Sequence, residues 1–194
     1  MIKLGAQQLR TTKASQEERK KIKKHPLYII LDNVLDTYNV GAIFRLADAV
    51  AAEKVILCGL TETPPHTRIK KASINTTEWV NWEYCETAVE AIKNLRDEFS
   101  TKLEQYSSSE AKPNREVQKL QVIAIEQSSN AIPYDKADYS FPIALVVGHE
   151  TNGVSKEVLD IADQIVEIPM WGVNKSLNVM VSLGIVLYEV MKRR

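Results

Sequence analysis

Three separated segments of the chain combine glycine with amide, carboxylate and guanidinium side chains. They cover residues 39–45, 148–153 and 168–178, and the last two follow short apolar runs that are typical of buried strands. Loops at the carboxyl ends of parallel strands meet at one edge of a sheet, where ligands normally bind. Glycine at both ends of the second segment lets backbone amides approach a ligand closely. The three segments together therefore predict one ligand site.

Arg45 lies in the first segment, within a run of apolar residues at helical spacing. The spacing predicts a helix that places Arg45 on the face opposite the apolar residues. An arginine at such a position is either solvated or salt-bridged, or it reaches for a partner. Asn39, just before the predicted helix, is typical of a cap or turn residue, and Ser176 could cap the last helix.

The elements that must hold these segments alternate between strand and helix patterns. Helices are predicted over residues 16–24, with Ser15 and Glu18 as a capping box, and over 40–51, 86–106, 154–162 and 177–192. Apolar runs predict strands over residues 28–31, 54–58, 120–126, 143–147 and 165–168. The alternation predicts an α/β fold with a mostly parallel sheet flanked by helices. Pro64 begins a predicted loop, and residues 107–116 are interpreted as a surface loop within one domain.

Composition restricts the class of protein. The chain has 194 residues, of which 44% are apolar and 26% charged, as in a soluble globular domain. Cys58 and Cys85 are too few and too far apart for a disulfide framework or a zinc site, which favours a reducing cytoplasm. No apolar stretch approaches the roughly 18 residues of a membrane helix, and the first 25 residues lack a signal-peptide core.

Charge is distributed unevenly along the chain. Lys and Arg together number 25, as do Asp and Glu; eight of the basic residues and two acidic ones fall in residues 1–25, so this arm carries +6 and the remainder −6. A basic arm on a mildly acidic body suits attraction to a polyanion. The same arm could also be only a solvated, lysine-rich helix.

Read in order, the three segments resemble the three motifs of the SpoU/TrmH family, RNA ribose 2′-O-methyltransferases of the SPOUT class. The resemblance runs from about Pro26 to the end of the chain, with spacing similar to that of the family. The residues that carry it are Asn39-Val40-Gly41-Ala42-Ile43-Phe44-Arg45, Gly148-His149-Glu150-Thr151-Asn152-Gly153, Ile168-Pro169-Met170 and Ser176-Leu177-Asn178.

The resemblance implies a knotted methyltransferase domain over residues 26–194, preceded by the arm, in a cytoplasmic homodimer whose active site draws on both subunits. It implies a C-terminal trefoil knot whose loops bind S-adenosylmethionine, without a metal. The implied cofactor-binding residues are Val147, Gly148, His149, Gly153, Ile168, Met170 and Leu177. The substrate would be tRNA or rRNA, and the candidate RNA contacts in the arm are Arg10, Lys13, Arg19, Lys20, Lys21, Lys23 and Lys24.

By the same match Arg45 is the catalytic arginine that acts on the 2′-hydroxyl. The residues implied to position it and the substrate are Asn39, Glu150, Ser176 and Asn178. A guanidinium stays protonated in proteins, so a simple base role is hard to reconcile with it. Clamping a substrate phosphate and stabilising the developing oxyanion is the other role. The sequence leaves both roles open.

The chain departs from the family pattern at a few positions. Ala51 stands where a glycine often ends the first motif helix, Asn174-Lys175 stands where an acidic residue is common, and His149 is a bulky residue that we interpret as a pocket wall. Two alternatives share the fold: a catalytically silent RNA-binding module, and a methyltransferase that modifies bases or small molecules. A Rossmann dehydrogenase is disfavoured because no GxGxxG follows the first strand.

Overall fold

The computed structural model describes residues 3–107 and 118–194 of the chain. Within them, seven strands form one sheet in the order β3-β2-β1-β6-β4-β7-β5, and every neighbouring pair is parallel. The strands β1 to β7 are His25–Asp32, Ala52–Cys58, Trp82–Cys85, Gln121–Ile125, Ile132–Pro133, Ile143–Gly148 and Gln164–Glu167. The prediction of a mostly parallel sheet flanked by helices is confirmed, whereas the trefoil knot is a property of the chain path that strand pairing does not define and stays a prediction.

Helices cover both faces of this sheet. The helices α1 to α7 are Ala6–Thr11, Gln16–Lys20, Thr37–Ala49, Thr67–Ser73, Ala88–Ser107, Lys156–Ile161 and Val179–Lys192. Helices α3, α4 and α7 contribute to the apolar cluster on one face. Helices α5 and α6 contribute to the cluster on the other. A site at the carboxyl edge can therefore draw on both helical layers.

Strands β1 and β6 lie side by side in the middle of the sheet and are buried from both faces. In β1 the residues from Leu27 to Leu31 are buried, and in β6 so are those from Ile143 to Val147. Alternate β1 side chains enter different clusters, as Ile29 and Ile30 do. Such continuous apolar runs are typical of strands in parallel sheets. Their burial fixes the positions from which the site loops leave.

Four predicted helix starts are wrong by two or three residues, and at two of them, in α3 and α7, a capping side chain gives the reason. The Asp36 side chain accepts a hydrogen bond from the Tyr38 N–H (2.8 Å), so α3 begins at Thr37 and Asn39 lies within its first turn instead of before it. The Asn178 side chain accepts from the Met180 N–H (3.0 Å) and caps α7 in place of Ser176. In both helices the nearest suitable side chain closes the first turn.

Several further differences come from short elements. The capping box of Ser15 and Glu18 is present, but α2 ends at Lys20, four residues before the predicted end. Helices α1 and α4 and the short edge strands β3 and β5 were not expected from the pattern. Ser107, the first residue of the loop predicted over residues 107–116, belongs to α5. The rest of that loop lies outside the described residues.

Helix α3 ends without the glycine that the family often has there. The helix stops at Ala49, and Ala51 takes a φ of +49°, in the left-handed region that glycine adopts most easily. The chain thus turns toward β2 at the position where the departure from the family pattern falls. No motif residue is displaced by this turn.

Candidate functional site

A cavity of about 390 Å³ opens at the carboxyl edge of the sheet. It lies among the loops that follow β4, β6 and β7 and the start of α7. Every residue that the resemblance implies as cofactor-binding lines it, together with three of the positioning residues: Val147, Gly148, His149, Gly153, Ile168, Met170, Leu177, Glu150, Ser176 and Asn178. The second and third segments therefore meet at one place.

The turn after β6 is closed tightly by its two glycines. The His149 N–H donates to the Gly153 carbonyl (3.0 Å), and the Gly153 N–H donates back to the His149 carbonyl (2.8 Å). A Cβ on Gly148 would lie 2.2 Å from the Gly153 carbonyl carbon, so this position has no room for a side chain. Gly153 has a φ of +70°, which favours glycine.

Two carboxylates that sequence reasoning missed accept hydrogen bonds from the residues that directly follow this turn. Glu126, directly after β4, accepts a hydrogen bond from the Val154 N–H (2.8 Å). Asp32, at the end of β1 and only 3% exposed, accepts from the Ser155 N–H (2.8 Å). An acidic residue at the end of β1 and another directly after β4 are a signal that could have revealed them, because carboxylates accept hydrogen bonds from backbone N–H groups.

The His149 ring accepts hydrogen bonds from backbone N–H groups of the turn. Its Nδ1 accepts hydrogen bonds from the Thr151 N–H (2.9 Å) and the Asn152 N–H (3.3 Å). These two hydrogen bonds fix the orientation of the ring, with Nδ1 facing the backbone of the turn. This is the geometry of a wall residue, and the assignment of His149 to the cofactor remains a prediction.

A chain of hydrogen bonds connects all three segments beside the cavity. The Asn39 Nδ2 donates to Glu150 Oε1 (3.0 Å), and the Asn178 Nδ2 donates to Asn39 Oδ1 (2.9 Å). Because each amide donates through nitrogen and accepts through oxygen, the orientation of all three side chains is determined by this relay. We call these three residues the polar relay.

Glu150 is the acidic end of the polar relay. Its oxygens also accept from the Leu35 N–H (3.1 Å) and the Asp36 N–H (3.0 Å). Partial burial opposes the charged form, but the hydrogen bonds from Asn39, Asp36 and Leu35 outweigh it and lower the pKa of Glu150. At neutral pH the group is therefore a carboxylate whose oxygens already hold N–H donors.

Arg45 lies apart from this cavity. It is exposed on α3, as its helical position predicts, and it does not line the cavity wall. Across residues 3–107 and 118–194 its guanidinium has no hydrogen bond or ion pair. The fold of this chain thus unites the polar relay with the cavity but leaves the arginine of the first segment outside it.

Most of the basic arm is accessible. Arg10, Lys13, Lys20, Lys21 and Lys23 are exposed, whereas Arg19 and Lys24 are partly buried. The Lys24 Nζ lies 3.5 Å from the Trp79 carbonyl, and burial lowers the pKa of Lys24.

The described part of the chain also shows what it lacks. In it, no three or more His, Cys, Asp or Glu side chains are grouped so as to hold a metal ion. No helix among the same residues has the length and apolar character to span a bilayer. Cys58 and Cys85 are both free thiols.

Comparison with known proteins gives consistent relatives. A tRNA (guanosine(18)-2′-O)-methyltransferase of Aquifex aeolicus is 31% identical over 174 residues, which cover 87% of this chain and 70% of that protein. A 23S rRNA (guanosine-2′-O-)-methyltransferase RlmB of Ralstonia nicotianae is 32% identical over 170 residues, which cover 87% of this chain and 59% of that protein. The chain thus spans less than two thirds of the length of some of its relatives.

A solved structure and a family model point the same way. The structure of an AdoMet-bound rRNA methyltransferase from Sinorhizobium meliloti superposes with a TM-score of 0.71 at 25% identity, over 95% of this chain and 60% of that one. The model of the SpoU rRNA Methylase family matches residues 26–188, which include all three motif segments. The chain belongs to the SpoU rRNA methylase family.

Proposed function

We propose that this chain is an enzyme that transfers a methyl group from S-adenosylmethionine to a ribose 2′-hydroxyl of tRNA or rRNA. The polar relay carries the proposal, because it joins the three motif segments beside one cavity. The names of the relatives, which act on guanosine in tRNA or 23S rRNA, support structured RNA as the substrate class.

The cavity suits S-adenosylmethionine in size and chemistry. Its volume of about 390 Å³ falls in the range of roughly 300–1,000 Å³ that is usual for small-molecule sites. Apolar walls fit the adenosyl part, while the closed glycine turn keeps backbone groups at the surface of the cavity. When bound, the cofactor supplies a methyl group already activated on a sulfonium. The proposed contacts are Val147, Gly148, His149, Gly153, Ile168, Met170 and Leu177.

The residues of this chain must align the ribose hydroxyl, relieve it of a proton and exclude water. We assign Asn39, Glu150 and Asn178 to alignment, since their mutual hydrogen bonds leave little freedom of orientation. Ser176, exposed at the cavity, is assigned to positioning the substrate. Arg45, which stays protonated, would clamp a substrate phosphate and stabilise the developing oxyanion.

A second copy of the chain would bring Arg45 to the cavity. Large apolar side chains are exposed on the loop beside the cavity and on helices α7 and α3: Trp171 is 92% exposed, Val173 is 104%, Tyr188 is 56% and Tyr38 is 50%. Such a concentration is typical of an interface. Tyr38 lies two helical turns before Arg45 and shares its face of α3. A homodimer formed through this surface would cover the apolar side chains and complete the site with the arginine of the partner.

The remaining parts of the chain fit the same proposal. We assign residues 1–25 to an RNA-contacting arm and residues 26–194 to the knotted catalytic domain. The two free thiols, Cys58 and Cys85, support a reducing cytoplasm as the location.

Transfer of a labelled methyl group tests the activity. The purified protein, incubated with methyl-labelled S-adenosylmethionine and unmodified tRNA and rRNA transcripts, should yield labelled nucleotides that resist alkaline cleavage. Arg45→Ala should lower this rate by about 100-fold or more, by analogy with loss of one oxyanion-stabilising donor. Cofactor affinity, measured by calorimetry, should be retained. Lys156→Ala, an exposed change on α6, is the matched control.

Each contrary result has a distinct meaning. Full turnover by Arg45→Ala would contradict the role of that residue, and absence of cofactor affinity in the parent protein would contradict the cavity assignment. Label that appears on a base would replace the ribose by a base as the acceptor. RNA binding with a bound cofactor but without transfer would identify a silent RNA-binding module.

A further inference from the structure

Helix α4 presents a basic surface that no motif includes. Its Ile69 and Ser73 are buried against the body, whereas Arg68, Lys70 and Lys71 are exposed. The helix contains no acidic residue. Four of its seven residues are exposed, and three of these four are positively charged.

The basic arm is docked beside this helix. Asn75, two residues after α4, donates from Nδ2 to the Leu9 carbonyl (3.1 Å) and to the Thr12 carbonyl (3.2 Å). Asn75 is only 6% exposed and has a φ of +68°, a backbone conformation that asparagine tolerates better than most residues. The two carbonyls belong to the end of α1, so this amide anchors Arg10 and Lys13 next to α4.

Helix α3 brings Arg45 toward the same surface. A Cβ on Gly41 would lie 2.6 Å from Ala72 Cβ and 2.7 Å from the Ile69 carbonyl, so α3 and α4 are in direct contact there. Arg45 follows Gly41 by one helical turn and points in a similar direction. Three separate elements therefore carry arginine or lysine to one side of the molecule.

The charges of these basic side chains are not neutralised by ion pairs among the residues that the structure describes. In the parts of the chain that the structure describes, none of them has a side-chain hydrogen bond or an ion pair. A single solvated lysine needs no explanation, but like charges held together by a buried anchor repel one another. Binding of a polyanion would relieve this repulsion and therefore be favourable. The set consists of Arg10, Lys13, Arg45, Arg68, Lys70 and Lys71.

We infer that α4 and the docked arm form one surface that binds the phosphate backbone of the RNA substrate and leads it to Arg45. This inference rests on the proposed function for the identity of the polyanion. Arginine and lysine bind phosphates without regard to sequence, so the surface supplies affinity and orientation and not base selection. It also makes the arm a structured part of the RNA site, positioned by Asn75.

Salt dependence of RNA binding tests the surface. An unmodified tRNA transcript is titrated with the full-length protein at several salt concentrations, and the slope of log affinity against log salt is measured. The triple variant Arg68→Gln, Lys70→Gln, Lys71→Gln should reduce the magnitude of the slope by about 2 to 3, because each lost phosphate contact removes roughly 0.7–0.9. The control variant Lys93→Gln, Lys119→Gln, Lys156→Gln has the same change in net charge, and none of its three positions lies on α3, α4 or the arm.

A second variant tests the anchor. Asn75→Gly keeps a backbone that accepts positive φ but removes the amide that binds the arm. We expect faster proteolysis within residues 6–13, an unchanged midpoint of thermal unfolding and a smaller salt slope. Deletion of residues 1–24 should reduce the slope as well, through the loss of Arg10 and Lys13.

The outcomes separate this inference from the proposed activity. Equal slopes for the α4 variant and its control would overturn the inference even if methyl transfer is observed. A reduced slope in a protein that transfers no methyl group would support the surface and contradict the enzyme. If the parent protein does not bind RNA, both proposals fail.

Discussion

Glu150 shows how folding changes the chemistry of a single residue. In the sequence it is one of 25 acidic residues, and its partners lie more than 100 positions away. In the fold it receives N–H groups from Leu35, Asp36 and Asn39, so its carboxylate orients an amide and is not free to remove a proton. We therefore propose that the polar relay aligns groups and does not itself supply a base.

Glu150→Gln should reveal this role through pH. Because the pKa of Glu150 is lowered in the fold, its ionised form stabilises the protein above the pKa of the unfolded chain, near 4.5, and this stability is lost as the pH falls through the lowered value. At pH 7 the variant should be less stable by about 1 kcal/mol, since a glutamine NH₂ cannot accept from a backbone N–H and the site is partly exposed.

Denaturant unfolding at pH 7 and at pH 3 measures the difference. The parent and the variant should differ at pH 7, and the difference should be smaller at pH 3, because the parent carboxyl takes up protons as the pH falls through its lowered pKa. A constant difference at both pH values would show that the charge of Glu150 contributes nothing. The control is Glu157→Gln, because Glu157 lies on α6 and is not one of the residues assigned to the site.

At the scale of elements, the approach of α3 to α4 decides where the first segment lies. Gly41 faces Ala72 and backbone atoms of Ile69 and Ser73, which lie so close that a side chain at this position would not fit. The absent side chain lets the two helices approach until their backbones nearly touch. The contact fixes the position of α3, which carries both Asn39 and Arg45, against α4.

Gly41→Ala should separate these helices. An added methyl group would sit 2.6 Å from Ala72 Cβ and 2.9 Å from the Ser73 nitrogen, so we expect a loss of about 1–3 kcal/mol in the free energy of unfolding. Gly184→Ala on α7 is the matched control, because its Cβ would lie 3.6 Å from Leu46, an ordinary contact. That change should be neutral or gain up to about 1 kcal/mol. Equal effects in denaturant unfolding would contradict the packing argument.

At the scale of the whole molecule, a single chain has the cavity without the arginine. The polar relay and the cavity-lining residues lie together, whereas Arg45 is exposed and has no hydrogen-bond or ion-pair partner among the described residues. The apolar side chains around the cavity, Trp171 and Val173 among them, remain uncovered. Both features follow if the functional unit is a dimer with shared sites.

Mixed dimers test the sharing of sites. Arg45→Ala lacks the guanidinium, and Gly153→Val disrupts the cavity, because a Cβ there would lie 2.0 Å from Glu126 Oε2. Each variant alone should be inactive. Equal co-expression should restore about a quarter of parental activity, since random pairing makes half of the dimers mixed and each of those has one intact site. No recovery in differentially tagged, co-purified dimers would mean that Arg45 serves its own cavity.

Much of the fold could be predicted from local patterns. The buried runs of β1 and β6 are continuous in apolar residues, and the exposed position of Arg45 follows from helical period alone. The short edge strands β3 and β5 escaped prediction because Trp82–Cys85 and Ile132–Pro133 are held by neighbouring strands and not by a pattern of their own. Helix α4 was missed for a similar reason, since its single buried apolar residue, Ile69, gives no periodic stripe.

By itself, the sequence determined the α/β class, the basic arm and the three motif segments, because each depends on residue type and on spacing over a few turns or strands. Only the tertiary structure decided that Asn39 bonds to Glu150 and Asn178, that Asp32 and Glu126 support the glycine turn, and that Arg45 lies outside the cavity. These contacts join residues 28 to 139 positions apart. No local pattern encodes them, since they exist only after the parallel strands have brought their carboxyl ends to one edge.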